Sequence, residues 1–456
     1  MNGKKPVVLL INAPSSRAVY KEDRCQIDAN ELFAKFYRPP ISLMILAGIA
    51  ELAGYAPRIL DCPVQGYSFK ILKNLFYQLN PSVVIVNTSE QTEREDFLTL
   101  RLAKHFGART IAFGYQASTL KKAFITRCPW VDIVIMKEPE MTFKEVLEGK
   151  KLNEIDGICY VDEVTSIMEN QERPFISDLD KLPVGSHHLI DFTKYRFLLT
   201  GKPFTVIQIS RGCPFTCNFC LAPFMNGVKF RKKSVSKVID EIEYVVKKIH
   251  VSTFFLRADT FTLDKEWIRQ FCQEIVTKGL RIQWFTNSRI DTIPDELIPL
   301  MSAAGCIIIG IGIESGVPKH QRLLQKNIDL SLITPKLKTL KSSKIHSVVY
   351  FIIGHPFDNM NSIYYNINYS KTIPATFVEF TIYVDLTAVD LKHDKKRFPD
   401  GLLKKISKKG EVLFYFRLRK LIEIICIIEG YIIRNPSNFL YLLTSSARLL
   451  WRYLFR

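Results

Sequence analysis

Apolar and polar positions alternate along the first 145 residues in a pattern that predicts a parallel α/β domain. Short apolar runs of strand length are separated by longer segments whose apolar residues recur at helical spacing. This alternation favours a doubly wound sheet, which binds ligands at the carboxyl ends of its strands. The predicted strands cover residues 7–11, 56–60, 83–86, 110–113 and 133–136, and the predicted helices cover residues 41–52, 70–79 and 93–106.

Strands and helices alternate again between residues 201 and 390. Six successive strand–helix units are typical of a partial TIM-type barrel, (β/α)6, whose site lies at the carboxyl ends of the strands. The predicted strands cover residues 205–209, 253–256, 281–285, 306–310, 346–353 and 375–383, and the predicted helices cover residues 235–249, 265–277, 294–304, 335–343 and 360–372.

The segment between these two patterns is interpreted as a linker. Its prolines are typical of a stiff interdomain connection. The adjacent His187 and His188 are interpreted as an exposed linker pair and not as metal ligands. We therefore expect a flavodoxin- or Rossmann-like domain in residues 1–145, a linker with one short strand in 146–200, the barrel in 201–390 and a basic helical tail in 391–456.

Composition adds a compartment and a class of partner. The chain has 456 residues, of which 47% are hydrophobic, and its ten cysteines are scattered, which favours a reducing cytoplasm over a disulfide framework. The apolar run at 7–11 is too short for a signal peptide, so secretion is not expected. The net charge of +18 favours an anionic partner, such as nucleic acid, a phosphorylated substrate or an acidic membrane, although a generally basic cytoplasmic protein would also carry it.

Three cysteines follow the first strand of the predicted barrel. Cys213, Cys217 and Cys220 have C-x-x-x-C-x-x-C spacing in a loop that contains Gly212 and Pro214 and can bring three sulfurs together. Four thiolates usually complete a 4Fe-4S cluster, so three would leave one iron open to another ligand. The alternatives are a zinc site or three buried thiols, but zinc prefers four ligands and no second cysteine pair follows at a suitable distance.

This loop, with the aromatic Phe219 before the last cysteine, resembles the radical S-adenosylmethionine (SAM) superfamily. The resemblance implies that SAM binds the open iron and that one electron from the 4Fe-4S cluster cleaves it to methionine and a 5′-deoxyadenosyl radical. Motifs at the ends of later strands are similar to the SAM pocket of that superfamily. The residues that the resemblance assigns to SAM are Phe219, Asp259, Arg289, Gly312, Glu314 and Ser315.

Simpler roles remain open for two of these residues. Asp259 could be a surface cap, and Arg289 could pair with Asp291 in place of the SAM carboxylate. His355 follows the fifth barrel strand and is a candidate acid or base on the substrate side. No other catalytic residue is proposed from the sequence.

The first domain resembles the cobalamin-binding domain of B12-dependent radical SAM enzymes, the group that contains methylases and the anaerobic magnesium-protoporphyrin ester cyclase. The match rests on residues 38–55 and on residues 137–143. The second segment lies where the family often has the pattern G-E-G-E-x-T-F. The resemblance implies cobalamin contacts from Pro14, Ser89, Gly114 and Glu138. No D-x-H-x-x-G motif supplies a histidine to cobalt, and the departures at Lys137 and Tyr115 leave open a scaffold without cofactor.

The resemblance implies methylation of an unactivated carbon in a lipid-like or secondary-metabolite substrate, with a flavodoxin or ferredoxin as electron donor. Radical cyclisation, rearrangement or C–C coupling without methyl transfer is the alternative. Transfer RNA methylthiolation would suit the basic charge, but the first domain lacks the additional cluster cysteines, so no nucleic acid partner is expected. A non-catalytic iron–sulfur protein is a further alternative.

The tail combines basic and apolar residues. Its apolar run at 421–433 is too short and too charged to span a bilayer, which needs about 20 apolar residues. Arg448, Arg452 and Arg456 recur every fourth residue and would share one helix face. This pattern favours either an interfacial helix at the inner face of the membrane or a helix packed on the barrel with its basic face in water.

Overall fold

The computed structural model describes residues 5–22, 37–384, 398–399 and 401–434. The described residues form two compact units. The first unit contains the N-terminal strand, Tyr37–Lys194 and Leu221–Lys233, and the second contains Tyr195–Cys220 and the described residues from Ser234 onwards. The chain leaves the second unit directly after Cys220 and returns to it at Ser234.

A seven-stranded sheet forms the centre of the first unit. Its strands are β1 (Val7–Asn12), β2 (Ala56–Asp61), β3 (Val83–Asn87), β4 (Arg109–Phe113), β5 (Ile133–Ile135), β6 (Ile158–Val161) and β7 (Ile167–Glu169). Their order is β2-β1-β3-β4-β5-β6-β7. The strands β1 to β5 pair in parallel, as predicted, and β6 and β7 extend the sheet in antiparallel pairing. All five predicted strands are therefore present, and the short strand predicted in the linker is β6.

Helices flank this sheet. Ser68 caps α3 by accepting a hydrogen bond from the Ile71 N–H, and Asn80 ends it in the left-handed conformation. Acidic residues in the first turn of α4 and basic residues in its last turn interact favourably with the helix dipole. The helices are α1 (Ile41–Leu52), α2 (Cys62–Gln65), α3 (Phe69–Leu79), α4 (Glu93–His105), α5 (Tyr115–Leu120), α6 (Lys122–Arg127), α7 (Glu140–Leu147) and α8 (Ala222–Asn226).

The second unit contains a six-stranded, wholly parallel sheet. Its strands are β8 (Thr205–Gln208), β9 (Thr253–Arg257), β10 (Gln283–Ser288), β11 (Cys306–Glu314), β12 (His346–Ile353) and β13 (Phe377–Ile382). They lie side by side in chain order, so their carboxyl ends meet at one edge. This arrangement confirms the six predicted strand–helix units. A short extended segment of this unit occurs at Ser210–Arg211, and another occurs at Arg231–Lys232 in the first unit.

Side-chain caps set the starts of several helices in the second unit. Ser234 accepts from the Lys237 N–H, Asp264 accepts from the Trp267 N–H, and Asn359 forms a capping box with Ser362. The helices are α9 (Val235–Tyr244, continued by a π-helical turn over Val245–Ile249), α10 (Lys265–Thr277), α11 (Ile298–Ala303), α12 (Pro318–Leu323), α13 (Ile333–Ser342), α14 (Met360–Ser370), α15 (Leu402–Tyr415) and α16 (Leu418–Arg434).

Helix α15 covers the edge strand β13. The Tyr415 hydroxyl accepts from the Val378 N–H at 3.0 Å and donates to the Val378 carbonyl at 2.8 Å, while the Ser407 hydroxyl donates to the Phe380 carbonyl at 2.6 Å. These contacts occupy backbone groups that an open edge would leave free to pair with another strand. The described part of the predicted tail therefore includes a helix packed on the barrel.

His187 and His188 differ in their exposure. The exposed histidine pair is wrong for His187, which is fully buried and stacked on Phe192 at a ring distance of 6.2 Å. It lies in a 3-10 turn with His188, which is exposed and has its Nε2 at 2.8 Å from Glu51 Oε1.

Within the described residues, no helix is long and apolar enough to cross a membrane. The arginines predicted to share a helix face in the tail lie outside the described residues.

Candidate functional site

The cysteine loop begins directly after β8 and is fixed to the end of β9. Gly212 has φ +85°, a conformation that glycine adopts without strain, and its N–H donates to Asp259 Oδ2 at 2.8 Å. Asp259 is buried. The aspartate that the SAM resemblance singled out therefore holds the start of the cysteine loop.

The three predicted cluster cysteines lie on one loop but differ in exposure. Cys213 is buried with its Sγ 3.5 Å from Thr260 Oγ1, and Cys217 and Cys220 are half-buried. Burial raises the pKa of the Cys217 thiol, and the nearby Lys326 and Arg289 cations partly oppose that shift. Within the described part of the chain, no three histidine, cysteine or acidic side chains are gathered closely enough to hold a metal ion.

The middle of the loop is held by the segment that follows α12. The backbone N–H of Asn218 donates to the Leu324 carbonyl at 3.2 Å, and the Asn218 side-chain amide donates to the Leu323 carbonyl at 2.8 Å. Asn218 lies between Cys217 and Cys220, so these bonds restrain the part of the loop that carries two of the thiols.

Arg289 lies beside the cysteine loop and is paired with Asp291, one of the two partners considered from the sequence. Its guanidinium donates to both oxygens of Asp291, at 3.0 and 2.8 Å, and lies 3.7 Å from Cys217 Sγ. It also lies over the Phe215 ring, 3.7 Å from the centroid, and donates to the Lys326 carbonyl at 2.8 Å. The ion pair with Asp291 is thus present, and it orients a cation toward the loop.

Glu314 lies at the end of β11, where the pairing with β12 is irregular between Gly312 and Glu314. Glu314 has φ +65° and is buried, and its Oε1 accepts from Lys326 Nζ at 2.7 Å. A Cβ on Gly312 would collide with the Glu314 carboxylate, so glycine is required there for the carboxylate to lie over the strand. Ser315 instead donates to Asn366 Oδ1 at 3.1 Å.

His355 is buried at the end of β12 among aromatic rings. Its ring lies 5.0 Å from Phe357, 4.6 Å from Tyr383 and 6.1 Å from Phe219. Its Nε2 has no hydrogen-bond partner among the described residues. Burial lowers the pKa of His355 to about 3, with a smaller effect from His320. The imidazole is therefore neutral at physiological pH and offers a hydrogen bond there, not a positive charge.

The structure thus places the predicted SAM residues along one edge of the barrel sheet. Phe219 lies 6.1 Å from His355, and the Lys326 ammonium lies 5.6 Å from its ring. Lys326 also pairs with Glu314 and receives a hydrogen bond from Arg289 at its carbonyl. Sequence reasoning missed Lys326, because it lies in no strand-end motif and follows a separate helix.

The four predicted cobalamin residues follow four different strands of the first unit. Pro14 is buried after β1, and Ser89, after β3, donates its N–H to Asp96 Oδ2 at 3.0 Å. Gly114, after β4, has φ +107°, and a Cβ there would lie 2.6 Å from Asn87 Oδ1. Glu138, after β5, pairs with the buried Arg231, with contacts of 2.8 and 3.0 Å. Ser89 and Glu138 are therefore engaged by the protein itself.

Three side-chain acceptors at the same end of this sheet lack partners. Asn12 Oδ1, Gln65 Oε1 and Gln116 Oε1 are buried and have no hydrogen-bond donor among the described residues. Asn12 ends β1, Gln65 ends the helix after β2, and Gln116 lies in the first turn after β4. A buried acceptor gives up its hydrogen bonds to bulk water, and without a new donor this loss costs free energy. The three atoms therefore indicate a ligand or water with N–H or O–H donors at this edge. The sequence carried no signal for these three atoms.

Comparison with known proteins adds sequence and fold relationships. The profile of the Radical SAM superfamily matches residues 207–368. An uncharacterized methyltransferase of Pyrococcus horikoshii is 26% identical over 426 residues, which cover 87% of this chain and 92% of that protein. The anaerobic magnesium-protoporphyrin IX monomethyl ester cyclase of Rubrivivax gelatinosus is 26% identical over 328 residues, which cover 69% of this chain and 59% of the cyclase.

A solved structure shows a related fold. The radical SAM methyltransferase TsrM from Kitasatospora setae, solved with cobalamin and a 4Fe-4S cluster bound, superposes with a TM-score of 0.64 at 16% identity. The match covers 84% of this chain and 77% of TsrM, so it extends beyond the barrel.

Proposed function

We propose that the chain is a cobalamin-dependent radical SAM methyltransferase, because the Radical SAM profile matches residues 207–368 and a methyltransferase of Pyrococcus horikoshii is similar to it along most of its length. Its substrate would be a lipid-like molecule or secondary metabolite that is methylated at an unactivated carbon. The observation that carries the proposal is the cysteine loop at the carboxyl edge of a six-stranded parallel sheet, next to the cations of Arg289 and Lys326.

Cys213, Cys217 and Cys220 would hold a 4Fe-4S cluster, because one loop supplies three sulfur donors and leaves one iron for SAM. When bound, the cluster supplies the electron that cleaves SAM. Arg289 and Lys326 place positive charge beside Cys217, which favours thiolates and an anionic SAM carboxylate there. His355 is buried, and the half-buried rings of Phe219, Phe357 and Tyr383 around it would limit the access of water to the end of β12, where a reactive radical would otherwise be quenched.

The first unit would hold cobalamin at the carboxyl ends of its strands. The order β2-β1-β3-β4-β5 is that of flavodoxin-like domains, which bind ligands at this edge. The three acceptors without donors fit a ligand rich in amide N–H groups, as the corrin side chains are. When bound, cobalamin supplies a carrier for the methyl group. Of the four predicted contacts, Pro14 and Gly114 would approach the ligand, and Ser89 and Glu138 would shape its support.

The test is anaerobic purification and cluster reconstitution with hydroxocobalamin, followed by desalting. We expect close to one cobalamin and one 4Fe-4S cluster per chain, with 5′-deoxyadenosine formed from SAM under reducing conditions. An intact cluster without retained cobalamin would reduce the first unit to a scaffold and remove cobalt from the proposal. Failure to form 5′-deoxyadenosine with any reductant would favour a non-catalytic iron–sulfur protein.

Similarity to the Rubrivivax cyclase supports a second candidate function, radical cyclisation without methyl transfer. Both reactions use SAM cleavage to activate the substrate, but only methylation transfers a methyl group from SAM to the product. SAM labelled in its methyl group separates them: label in the product supports methylation, and an unlabelled product supports cyclisation or rearrangement.

We also propose peripheral contact with an anionic membrane through α16, which would place the barrel near a lipid-like substrate. Leu418, Ile422 and Ile425 share one face of this helix, are exposed by 75%, 53% and 53%, and recur at helical spacing. Arg419 is exposed next to that face, and the net charge of the chain is +18. A flavodoxin or ferredoxin is the proposed electron donor.

A further inference from the structure

We propose that Lys326 is a positioning residue that holds the Glu314 carboxylate in place and thereby sets the affinity of the site for SAM. The inference rests on the proposed function and on the resemblance that assigns Glu314 to SAM, where its carboxylate would accept hydrogen bonds from the ribose hydroxyls. It concerns a residue that no strand-end motif contains and that reaches the site from the loop after α12.

The first support is the geometry of the ion pair. Lys326 Nζ lies 2.7 Å from Glu314 Oε1, and both side chains are more than nine-tenths buried. A Cβ on Gly312 would lie 3.0 Å from the Lys326 ammonium, so the ion pair lies directly over the last residues of strand β11. A buried carboxylate keeps its charge when a cation and hydrogen bonds compensate its lost hydration, and Lys326 supplies both.

The second support is the backbone of Glu314. A non-glycine residue with φ +65° is strained, and the pairing irregularity next to it turns the side chain away from the regular strand direction. Such strain persists only where surrounding contacts outweigh it, and the bond to Lys326 is a contact of this kind. Lys326 is the only hydrogen-bond donor to Glu314 Oε1 within the described residues, so its removal would leave the carboxylate uncompensated in this orientation.

The third support is the segment on which Lys326 lies. Its residues receive hydrogen bonds from three donors of the site: the Asn218 N–H and side-chain amide bind the Leu324 and Leu323 carbonyls, and Arg289 binds the Lys326 carbonyl. The same short segment therefore restrains the cysteine loop and carries the cation that pairs with Glu314.

The experiment uses the reconstituted, reduced holoenzyme and titrates SAM while the electron paramagnetic resonance signal of the cluster is recorded. SAM that binds the open iron changes this signal. Samples frozen directly after mixing limit SAM cleavage, so the titration gives a dissociation constant. The variants are Lys326→Met, Lys326→Arg, Glu314→Gln and the double variant Lys326→Met with Glu314→Gln. Lys338→Met, which removes an exposed lysine on α13, is the matched control.

We expect Lys326→Met to raise the dissociation constant about tenfold or more, because it leaves a buried carboxylate without its partner. Lys326→Arg should remain within about threefold of the wild type, and Lys338→Met should equal it. The double variant should bind SAM no more weakly than the worse single variant, because the two residues act through one ion pair. Iron content and the signal before SAM addition should not change.

Three results would contradict the inference. If Lys326→Met binds SAM like the wild type, Lys326 does not set affinity. If the effects of Lys326→Met and Glu314→Gln add in the double variant, the two residues act separately. Should Lys326→Met fold poorly, Lys326→Gln, which keeps a polar side chain without the charge, takes its place in the same comparison. A wild-type signal that does not respond to SAM would contradict the proposed function itself, together with the inference that depends on it.

Discussion

His355 places a polar atom among the rings at the end of β12. Its pKa is lowered to about 3 by burial, so the folded protein keeps the imidazole neutral in moderately acidic solution. The unfolded chain protonates the same group below its ordinary pKa of about 6.5. Between these values the unfolded state binds more protons, so the free energy of unfolding contributed by His355 falls as the pH is lowered.

This sign leads to a measurable slope. Replacing His355 with Phe should flatten the pH dependence of stability between about pH 6.5 and 3, removing up to about 1.4 kcal/mol per pH unit. The measurement is urea unfolding of the apo protein at a series of pH values, with His355→Gln as a smaller replacement. The control is His105→Gln, an exposed histidine at the end of α4. An unchanged slope in His355→Phe would show that the imidazole is not held neutral.

Residues could be found from the sequence where their spacing along the chain reflects the chemistry. The cysteine spacing is of this kind, because one loop carries all three thiols, and so are the residues that directly follow a strand, such as Asp259 and Glu314. Lys326 could not be found in this way. It reaches Glu314 only because α12 reverses the chain between them, and no local pattern records that return.

At the scale of elements, the turn from β4 to α5 brings Gly114 close to the loop that follows β3. A Cβ added to Gly114 would lie 2.6 Å from Asn87 Oδ1 and 2.8 Å from the Thr88 carbonyl oxygen, and Gly114 has φ +107°. The loop after β3 therefore packs directly on the start of α5. Any side chain at position 114 must displace backbone and adopt a strained conformation.

Gly114→Ala should lower the free energy of unfolding by about 3 kcal/mol, combining backbone strain with a steric clash. Gly149→Ala is the matched control, because Gly149 also has positive φ, +77°, but has open space at the Cβ position. It should cost about 1 kcal/mol from strain alone. Denaturant unfolding measures both variants, and equal losses would refute the tight packing of the two loops.

The contact between α15 and β13 makes a separate prediction. Tyr415→Phe removes the hydroxyl that pairs with both the N–H and the carbonyl of Val378, leaving two buried backbone groups unsatisfied. The expected loss is about 2 kcal/mol of stability. Tyr365→Phe, at an exposed position on α14, should have little effect. If Tyr415→Phe is as stable as the wild type, α15 does not seal the edge of the sheet.

Element type followed the apolar pattern closely, whereas element ends did not. All strands predicted in both regions are present, because apolar β-type runs must be buried in a parallel sheet. The helix predicted over 294–304 instead begins with a 3-10 turn at Asp295–Leu297 before α11, which has proline in its first turn. Strand β11 runs four residues past its predicted end to Glu314, where bulged pairing with the neighbouring strand shapes the site.

At the scale of the whole molecule, charge and exposed apolar area must be considered together. A net charge of +18 would attract any polyanion, so charge alone does not select a membrane. Leu418, Ile422 and Ile425 add a requirement that nucleic acid does not meet, namely burial of an apolar helix face. Glu429 lies on the same side of α16 and opposes an anionic surface, so the apolar residues must carry part of the binding energy.

The full-length protein should therefore float with vesicles that contain anionic phosphatidylglycerol and remain behind with purely zwitterionic ones. Replacing all three of Leu418, Ile422 and Ile425 by serine should reduce binding about tenfold or more. A fully buried apolar side chain contributes about 1.5–3 kcal/mol, and these three would be buried in the membrane only in part. Replacing the exposed Leu52 and Tyr77 of the first unit with Ser is the control and should leave flotation unchanged. Binding that disappears in high salt but survives the triple replacement would indicate attraction by charge alone. Binding to neither vesicle would leave α16 as a helix that packs only on the barrel, and would remove the reason to look first among membrane lipids for the substrate.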